Sequence, residues 1–229
     1  MEVFMKIGII GAGAMSRAIG KHAVAAGYSV MLSNTRGKSG AESVAQTIGC
    51  LAGSAQEAAS YGDLVVLAVP LRAYRSLPST ELAGKVVVDL LNYFPHRDGV
   101  IGTLQRGEMT TSELLAQQLP GARVVKALNS ITVEDLLKDA RPAGAAERRA
   151  MPVASDDADA KSVVCEFVNK LGFDPVDAGG LAESWRFERF RPVYCVALDQ
   201  DTMRATLAAT SRETTVPDGY WLYNRKVLL

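Results

Sequence analysis

A run of six residues, Gly11-Ala12-Gly13-Ala14-Met15-Ser16, limits what this chain can fold into more than any other feature. It follows directly on the apolar segment Lys6 to Ile10 and opens a helical stretch that ends at Ala26 and Gly27. A second apolar segment begins at Ser29. Strand, glycine turn, helix and strand in that order make a βαβ unit, whose strands run parallel. The spacing is that of the G-x-G-x-x-G fingerprint of dinucleotide-binding folds, with Ser16 at the third position. In such a turn Gly11 permits the tight exit from the strand. Gly13 lets the backbone approach a pyrophosphate, whose charge then faces the exposed N–H groups at the helix start. The third position serves helix–strand packing, where a small serine is a tolerable substitute that would shift the helix outward.

Val- and Ile-rich runs recur along the chain, at Ser29 to Leu32, Leu64 to Val69, Lys85 to Leu90, Arg123 to Ala127, Arg149 to Ala154 and Asp174 to Asp177. Short continuous apolar runs suit strands buried on both faces, and their alternation with helical stretches implies a parallel sheet covered by helices. The expected fold is therefore α/β, a Rossmann-type doubly wound parallel sheet with a small C-terminal α/β-to-helical extension. Ser155 is placed to cap a helix that Gly172 ends near Leu171. The stretch Ala140 to Arg149 reads as a loop crossing the surface and marks a boundary between a dinucleotide-binding domain, residues 1–148, and a smaller region, residues 149–229. Trp185, Phe187, Phe190, Tyr194, Tyr220, Trp221 and Tyr223 crowd the last quarter. That aromatic tail is expected to pack on something, as part of an acceptor pocket, a homodimer contact, or both. The arginines from Arg186 to Arg191 read as a solvated charged face, with an anion-holding role as the other reading.

Composition narrows the partners. Lys plus Arg and Asp plus Glu number 25 each, so no overall field draws the chain to nucleic acid or an anionic membrane. Three cysteines, Cys50, Cys165 and Cys195, without a CxxC pair, fit buried thiols in a reducing compartment and leave no disulfide framework or metal site. The N-terminal segment lacks the basic start and continuous apolar core of a signal peptide, and the longest apolar runs fall far short of the roughly 18 residues of a membrane span. A cytoplasmic protein is expected.

An NAD site usually has an Asp or Glu at the end of the second strand for the ribose 2′-hydroxyl. Here that place reads Ser33-Asn34-Thr35-Arg36-Gly37-Lys38. Without a carboxylate to repel a 2′-phosphate, and with Arg36 and Lys38 to pair with it and Ser33, Asn34 and Thr35 to donate hydrogen bonds, NADP(H) is favoured. In an open parallel sheet the ligand lies beyond the carboxyl ends of the strands. Val69-Pro70-Leu71, Leu91-Asn92-Tyr93 and Ala127-Leu128-Asn129-Ser130 are therefore the candidates to wall the nicotinamide. His22 and His96 lack a nucleophile or metal-ligand partner at a recognisable spacing, and no GxSxG, HExxH or P-loop lysine is present. The sequence names no catalytic acid, base or nucleophile.

Several segments in order resemble the NADP oxidoreductases dependent on the deazaflavin coenzyme F420: Lys6 to Ser16, Leu32 to Gly37, Val66 to Pro70, Gly84 to Tyr93 with Arg97-Asp98-Gly99, Gly121 to Ser130 and Phe173 to Phe187. The resemblance implies hydride transfer directly between nicotinamide and deazaflavin, with catalysis by positioning two rings in a dry pocket. Carried over by position, it implies that Gly13, Ala14 and Met15 border the pyrophosphate and Ser33, Asn34, Thr35 and Arg36 the 2′-phosphate. Val69 and Pro70 then lie by the nicotinamide half, and Ala127, Leu128 and Asn129 by the site of transfer. The last forty residues follow no pattern of that family, so the small-molecule redox acceptor is the open part. A flavin, a ferric chelate or an imine in its place, or a non-catalytic NADP-binding sensor, are the competing readings.

Overall fold

The protein is described by a computed structural model over residues 5–34 and 38–224, with only the backbone at 38 and 39. The first strands and helices are β1 (Lys6–Ile10), α1 (Ala14–Ala25), β2 (Ser29–Ser33), α2 (Lys38–Ile48), β3 (Leu51–Gly53), α3 (Ala55–Tyr61) and β4 (Leu64–Leu67). They are followed by α4 (Ser79–Leu82), β5 (Val86–Asp89), α5 (Pro95–Asp98), α6 (Gly102–Gln105), α7 (Thr111–Gln118) and β6 (Arg123–Lys126). The six strands form one parallel sheet in the order β3-β2-β1-β4-β5-β6, the doubly wound Rossmann arrangement.

Alternation along each strand divides the core in two. Ile7, Ile9, Leu64, Val66, Val86, Val88 and Val125 enter one apolar cluster, while Ile10, Val65, Leu67, Val87 and Val124 enter the cluster on the opposite face. Strands buried on both sides need apolar residues at every position, which is why they appear in the sequence as unbroken Val and Ile runs.

Beyond β6 come α8 (Val133–Lys138), β7 (Ala150–Val153), α9 (Ala158–Lys170), β8 (Asp174–Asp177), α10 (Gln200–Ala209) and α11 (Tyr220–Tyr223). β7 and β8 pair in parallel with each other, and a single antiparallel bridge, Lys126 with Ala154, ties them to the edge of the large sheet. α9 lays Val164, Phe167 and Val168 into the first cluster beside Ile19 and Ala23 of α1, and Phe167 meets Tyr28 edge-on at 5.6 Å between ring centres. The apolar core is thus continuous from β1 to Phe173.

Three expectations need correction. β3, paired to β2, has no long apolar run to announce it and was absent from the sequence reading. The cap of α9 is Asp157, whose carboxylate accepts from Ala160 N at 2.9 Å; Ser155 instead donates to the Val124 carbonyl at 2.7 Å, so the helix begins later. The stretch ending at Arg149 leaves the surface: Arg149 is fully buried and ion-paired to Asp135 and Asp139, and Arg148 is buried against Asp174 and Asn169.

Candidate cofactor and hydride-transfer cleft

At the end of β1 the chain turns through Gly11, whose φ of 128° lies in the region that favours glycine. A Cβ there would sit 2.4 Å from the Ala68 carbonyl oxygen, so the turn has no room for a side chain. The Gly11 N–H donates to the Ser33 carbonyl at 3.2 Å, joining the ends of β1 and β2. Gly13 differs. Its φ is −72°, and an added Cβ would meet no protein atom within 4 Å. The fold itself does not require glycine at 13; the open space outside it does, if something must come close. Gly13 caps α1 without a side-chain bond, and the first turn of that helix has no acidic residue, so its free N–H groups face outward uncompensated. Ser16 is fully buried, where its hydroxyl donates to Ala68 O at 3.4 Å; it seats the helix against the β4 loop.

A cleft of about 400 Å³ opens beyond the carboxyl ends of β1, β4, β5 and β6. It collects Gly13, Ala14 and Met15 from the turn, Val69 and Pro70 after β4, and Leu128 and Asn129 after β6. Asn92 also lines it, and Tyr194, Cys195 and Trp221 close it from the C-terminal region. A second hollow of about 300 Å³ lies on the other side of the turn, between Ile10, Asn34, Ser54, Ala73 and Leu77, and Val69 borders both. Together they offer a path with room for a ring at each end and helix N–H groups between. Gly11, Ser33 and Ala127 are buried beneath this surface and shape it from behind. Thr35 and Arg36 lie outside the described residues, as does the side chain of Lys38.

The far wall of the cleft is built from polar side chains. Asn92 Nδ2 donates to the Asn129 carbonyl at 2.9 Å, and Asn129 Nδ2 donates to Phe187 O at 3.0 Å and Asn92 Oδ1 at 3.2 Å. The reverse amide orientation would set oxygen against the Phe187 carbonyl, so Asn129 Oδ1 is left as a buried acceptor without a partner. Leu128, with φ 58°, holds a left-handed turn that a non-glycine residue adopts at a cost of about 1–3 kcal/mol. Cys195, with φ 60°, does the same opposite it and donates its N–H to Ser130 O at 3.1 Å. Burial pushes the Cys195 thiol up to about 12 and raises Tyr194, so both stay protonated at neutral pH. Cys195 is a wall here, not a nucleophile.

Behind that wall lies an ion pair that the sequence reading missed. Asp89 and Lys126 end β5 and β6 in register with each other, are fully buried, and stand 3.2 Å apart. Lys126 Nζ also donates to Thr111 Oγ1 at 2.9 Å and to the Leu91 carbonyl, while Asp89 accepts from Leu91 N and Ser112 Oγ, each at 2.7 Å. Thr111 passes the chain on to Glu188 Oε1 at 2.6 Å. Every donor of the ammonium is used, which is the condition for holding a charge in the core. The signal was available: opposite charges closing two neighbouring apolar strands at the same level.

His22 lies in the last turn of α1 and His96 in α5 against Phe94, both away from any partner that would make them catalytic. Among the described residues, no group of three His, Cys, Asp or Glu side chains could hold a metal ion, and no helix is long and apolar enough to cross a membrane.

Known proteins share this fold. The sequence profile of the family described as NADP oxidoreductase, coenzyme F420-dependent, matches residues 6–93. The hypothetical protein SMa0349 of Sinorhizobium meliloti is 30% identical, with a TM-score of 0.75 over 86% of this chain and 97% of its own. A presumed F420-dependent NADP-reductase of Arthrobacter sp. FB24 shares the fold at 24% identity and TM-score 0.67, over 80% and 87% of the two chains. An imine reductase of Myxococcus stipitatus shares it at 20% identity and TM-score 0.57, with 56% of that longer chain covered. YjhV of Escherichia coli K12 is 44% identical over 62 residues, 27% of this chain, and the match spans less than half, 45%, of that curated relative. The chain belongs to the family of coenzyme F420-dependent NADP oxidoreductases, whose profile it matches from β1 to the segment after β5.

Proposed function

We propose that the protein transfers a hydride between NADP(H) and a deazaflavin, coenzyme F420. The observation that carries the nucleotide half is the orphaned Asn129 Oδ1 in a cleft that begins at the open face of Gly13. A buried acceptor without a donor costs about 1–3 kcal/mol, and a carboxamide NH₂ is a group of the right chemistry to satisfy it. The helix N–H groups beyond Gly13 receive the pyrophosphate, and the hollow by Asn34 and Ser54 receives the adenosine end. The absence of a carboxylate after β2 and the presence of Arg36 support the 2′-phosphate.

When bound, the two cofactors supply the hydride donor and acceptor; the residues orient them. Val69, Pro70 and Leu128 give an apolar floor, Asn92 and Asn129 fix the ring edge, and Tyr194 with Trp221 keeps water from the open side. No residue needs to gain or lose a proton. The deazaflavin as acceptor rests on the family description, and the protein is proposed to act as a homodimer through its exposed C-terminal aromatic surface, where Tyr223 is 88% exposed.

The test is anaerobic NADPH oxidation by purified protein with F420, and FMN in parallel. Rapid oxidation with F420 alone is expected; no turnover with either acceptor, NADPH still binding, would sink the reaction and leave a nucleotide-binding protein. Arg36→Ala is expected to weaken NADPH binding by at least ten-fold and NADH binding little, since it removes about 1.5–3 kcal/mol of charge-assisted bonding to one ligand only. Equal losses would refute the 2′-phosphate assignment.

A further inference from the structure

A second pocket, of about 350 Å³, lies across the Tyr93-Phe94-Pro95 segment from the cleft. Phe94 lines the cleft, whereas Tyr93 and Pro95 line the pocket, so the partition is one side chain thick. Arg97 on the cleft side and Arg189 on the pocket side both lie on the Phe94 ring, at 4.6 and 4.7 Å from its centre.

The pocket is organised around Trp185, a buried indole. Arg212 lies 4.3 Å and Arg191 4.9 Å from its ring centre, and both line the pocket. Cation–π contact explains how the two guanidiniums are gathered there, but not what balances them. Arg189 has Asp218 and Arg186 has Glu183. Among the described residues, Arg191 and Arg212 have no carboxylate within 4.0 Å; Glu188 and Glu213 act on Arg191 only at longer range. Glu188 also lines the pocket, and its Oε1 is engaged, accepting from Thr111 N at 2.9 Å and from Thr111 Oγ1 at 2.6 Å. Arg191 is also pinned: its Nη1 donates to the carbonyls of Ser211, Arg212 and Thr214, which fixes the loop that carries Arg212.

We propose that this pocket binds the oxyanion, carboxylate or phosphate, of the hydride acceptor, whose ring lies beside the nicotinamide while an anionic arm passes Phe94 to reach Arg191 and Arg212. The proposal rests on the hydride-transfer reading for the placement of the ring, but the anion site itself stands on the pocket. Two guanidiniums without a carboxylate partner within ion-pair distance share one indole platform, and an oxyanion between them, which guanidinium N–H groups bind well, relieves their mutual repulsion. Because the platform and loop are held before any ligand arrives, little ordering cost attends binding.

Two tryptophans occur in the chain, so in a Trp221→Phe background the fluorescence reports Trp185 alone. Titration with inorganic phosphate and, separately, with citrate at constant ionic strength is expected to give a saturable change with at least one of them, and the stronger identifies the arm as phosphate or carboxylate. Arg212→Ala removes an exposed side chain whose contact is the Trp185 ring, so the ligand-free fluorescence of each variant is its own baseline. It is expected to raise the half-saturating concentration at least ten-fold, with Arg212→Lys in between. The saturating anion is then expected to raise the KM for F420, or for whichever acceptor turns over, and to leave that for NADPH unchanged. A non-saturating response, an equal response in Arg212→Ala, or competition with NADPH would overturn the proposal. NADPH binding is followed separately, in the protein with Trp221 intact, by nicotinamide fluorescence: its absence there with the anion response intact would remove the hydride-transfer reading and leave the anion site.

Discussion

The two sides of the cleft are made in different ways. The side after β1 is mostly backbone: Gly11 has no room for a side chain, Gly13 has no protein neighbour for one, and the helix N–H groups beyond it have no acidic residue in their first turn. The side after β5 and β6 is side chain: Asn92 and Asn129 in front, and Asp89, Lys126, Thr111 and Ser112 in a bonded group behind. A backbone surface is specified by a few consecutive residues and tolerates change elsewhere. A side-chain surface needs partners distant in sequence, and each depends on the others. Substitutions on the first side should therefore affect ligand and spare the fold, and on the second should affect both.

The largest effect is expected at Lys126. Lys126→Ala leaves Asp89 as a buried charge without its cation, at a cost of about 3–5 kcal/mol in urea denaturation. The double variant Asp89→Asn with Lys126→Met should recover more than half of that, and a loss equal to the single variant's would show that packing and not charge holds the wall. Gly13→Ala is the opposite case. Stability should change by less than about 1 kcal/mol, because φ is ordinary and the space is empty, while the Kd for NADPH rises at least ten-fold. Unchanged affinity would mean that the nucleotide does not cross the turn.

A smaller effect comes from the ligand. The 3-acetylpyridine analogue of NADPH lacks the amide N–H₂ proposed to satisfy Asn129 Oδ1, and is expected to bind about ten-fold more weakly, the worth of one buried hydrogen bond of about 1–1.5 kcal/mol. Equal binding would place the carboxamide elsewhere.

The smallest effect concerns the seam between the two sides, where His22 of α1 packs beside the backbone of Leu136 in α8. Burial, and to a lesser degree Lys21, lowers the His22 pKa below 6.5. The unfolded chain then takes up the proton first, so the stability from neutral His22 is present above pH about 6.5 and declines as the pH falls below it. Tm should fall between pH 7.5 and 5.5, and His22→Gln should flatten part of that fall. An identical pH profile in the variant would exclude His22 as the source.

The same contrast explains what could be read from the sequence. β1 has the boundaries that its apolar run predicts, because a strand buried on both faces needs one residue type throughout. The glycine turn was legible because its geometry is local. β3 was hidden by its length, and Asp89 with Lys126 by being unremarkable until the sheet sets them side by side. Tyr194, Cys195 and Trp221 reach the cleft from a segment with left-handed residues at Phe190 and Cys195 and no repeating pattern, so periodicity carries no signal there. Ser155 was assigned the cap because the sequence shows a capping residue type and does not show that its hydroxyl is already taken by Val124.

The position of α9 has a consequence for how the chain is made. The sheet is complete in sequence at Lys126, yet one of its faces is covered by Val164, Phe167 and Val168, which a ribosome adds some forty residues later. At about 5–20 residues per second, that leaves the part of this face over β5 and β6 uncovered for several seconds on the nascent chain. Ribosome-bound fragments ending between β6 and α9 should accordingly be the species that chaperones retain and that aggregate when they are released early.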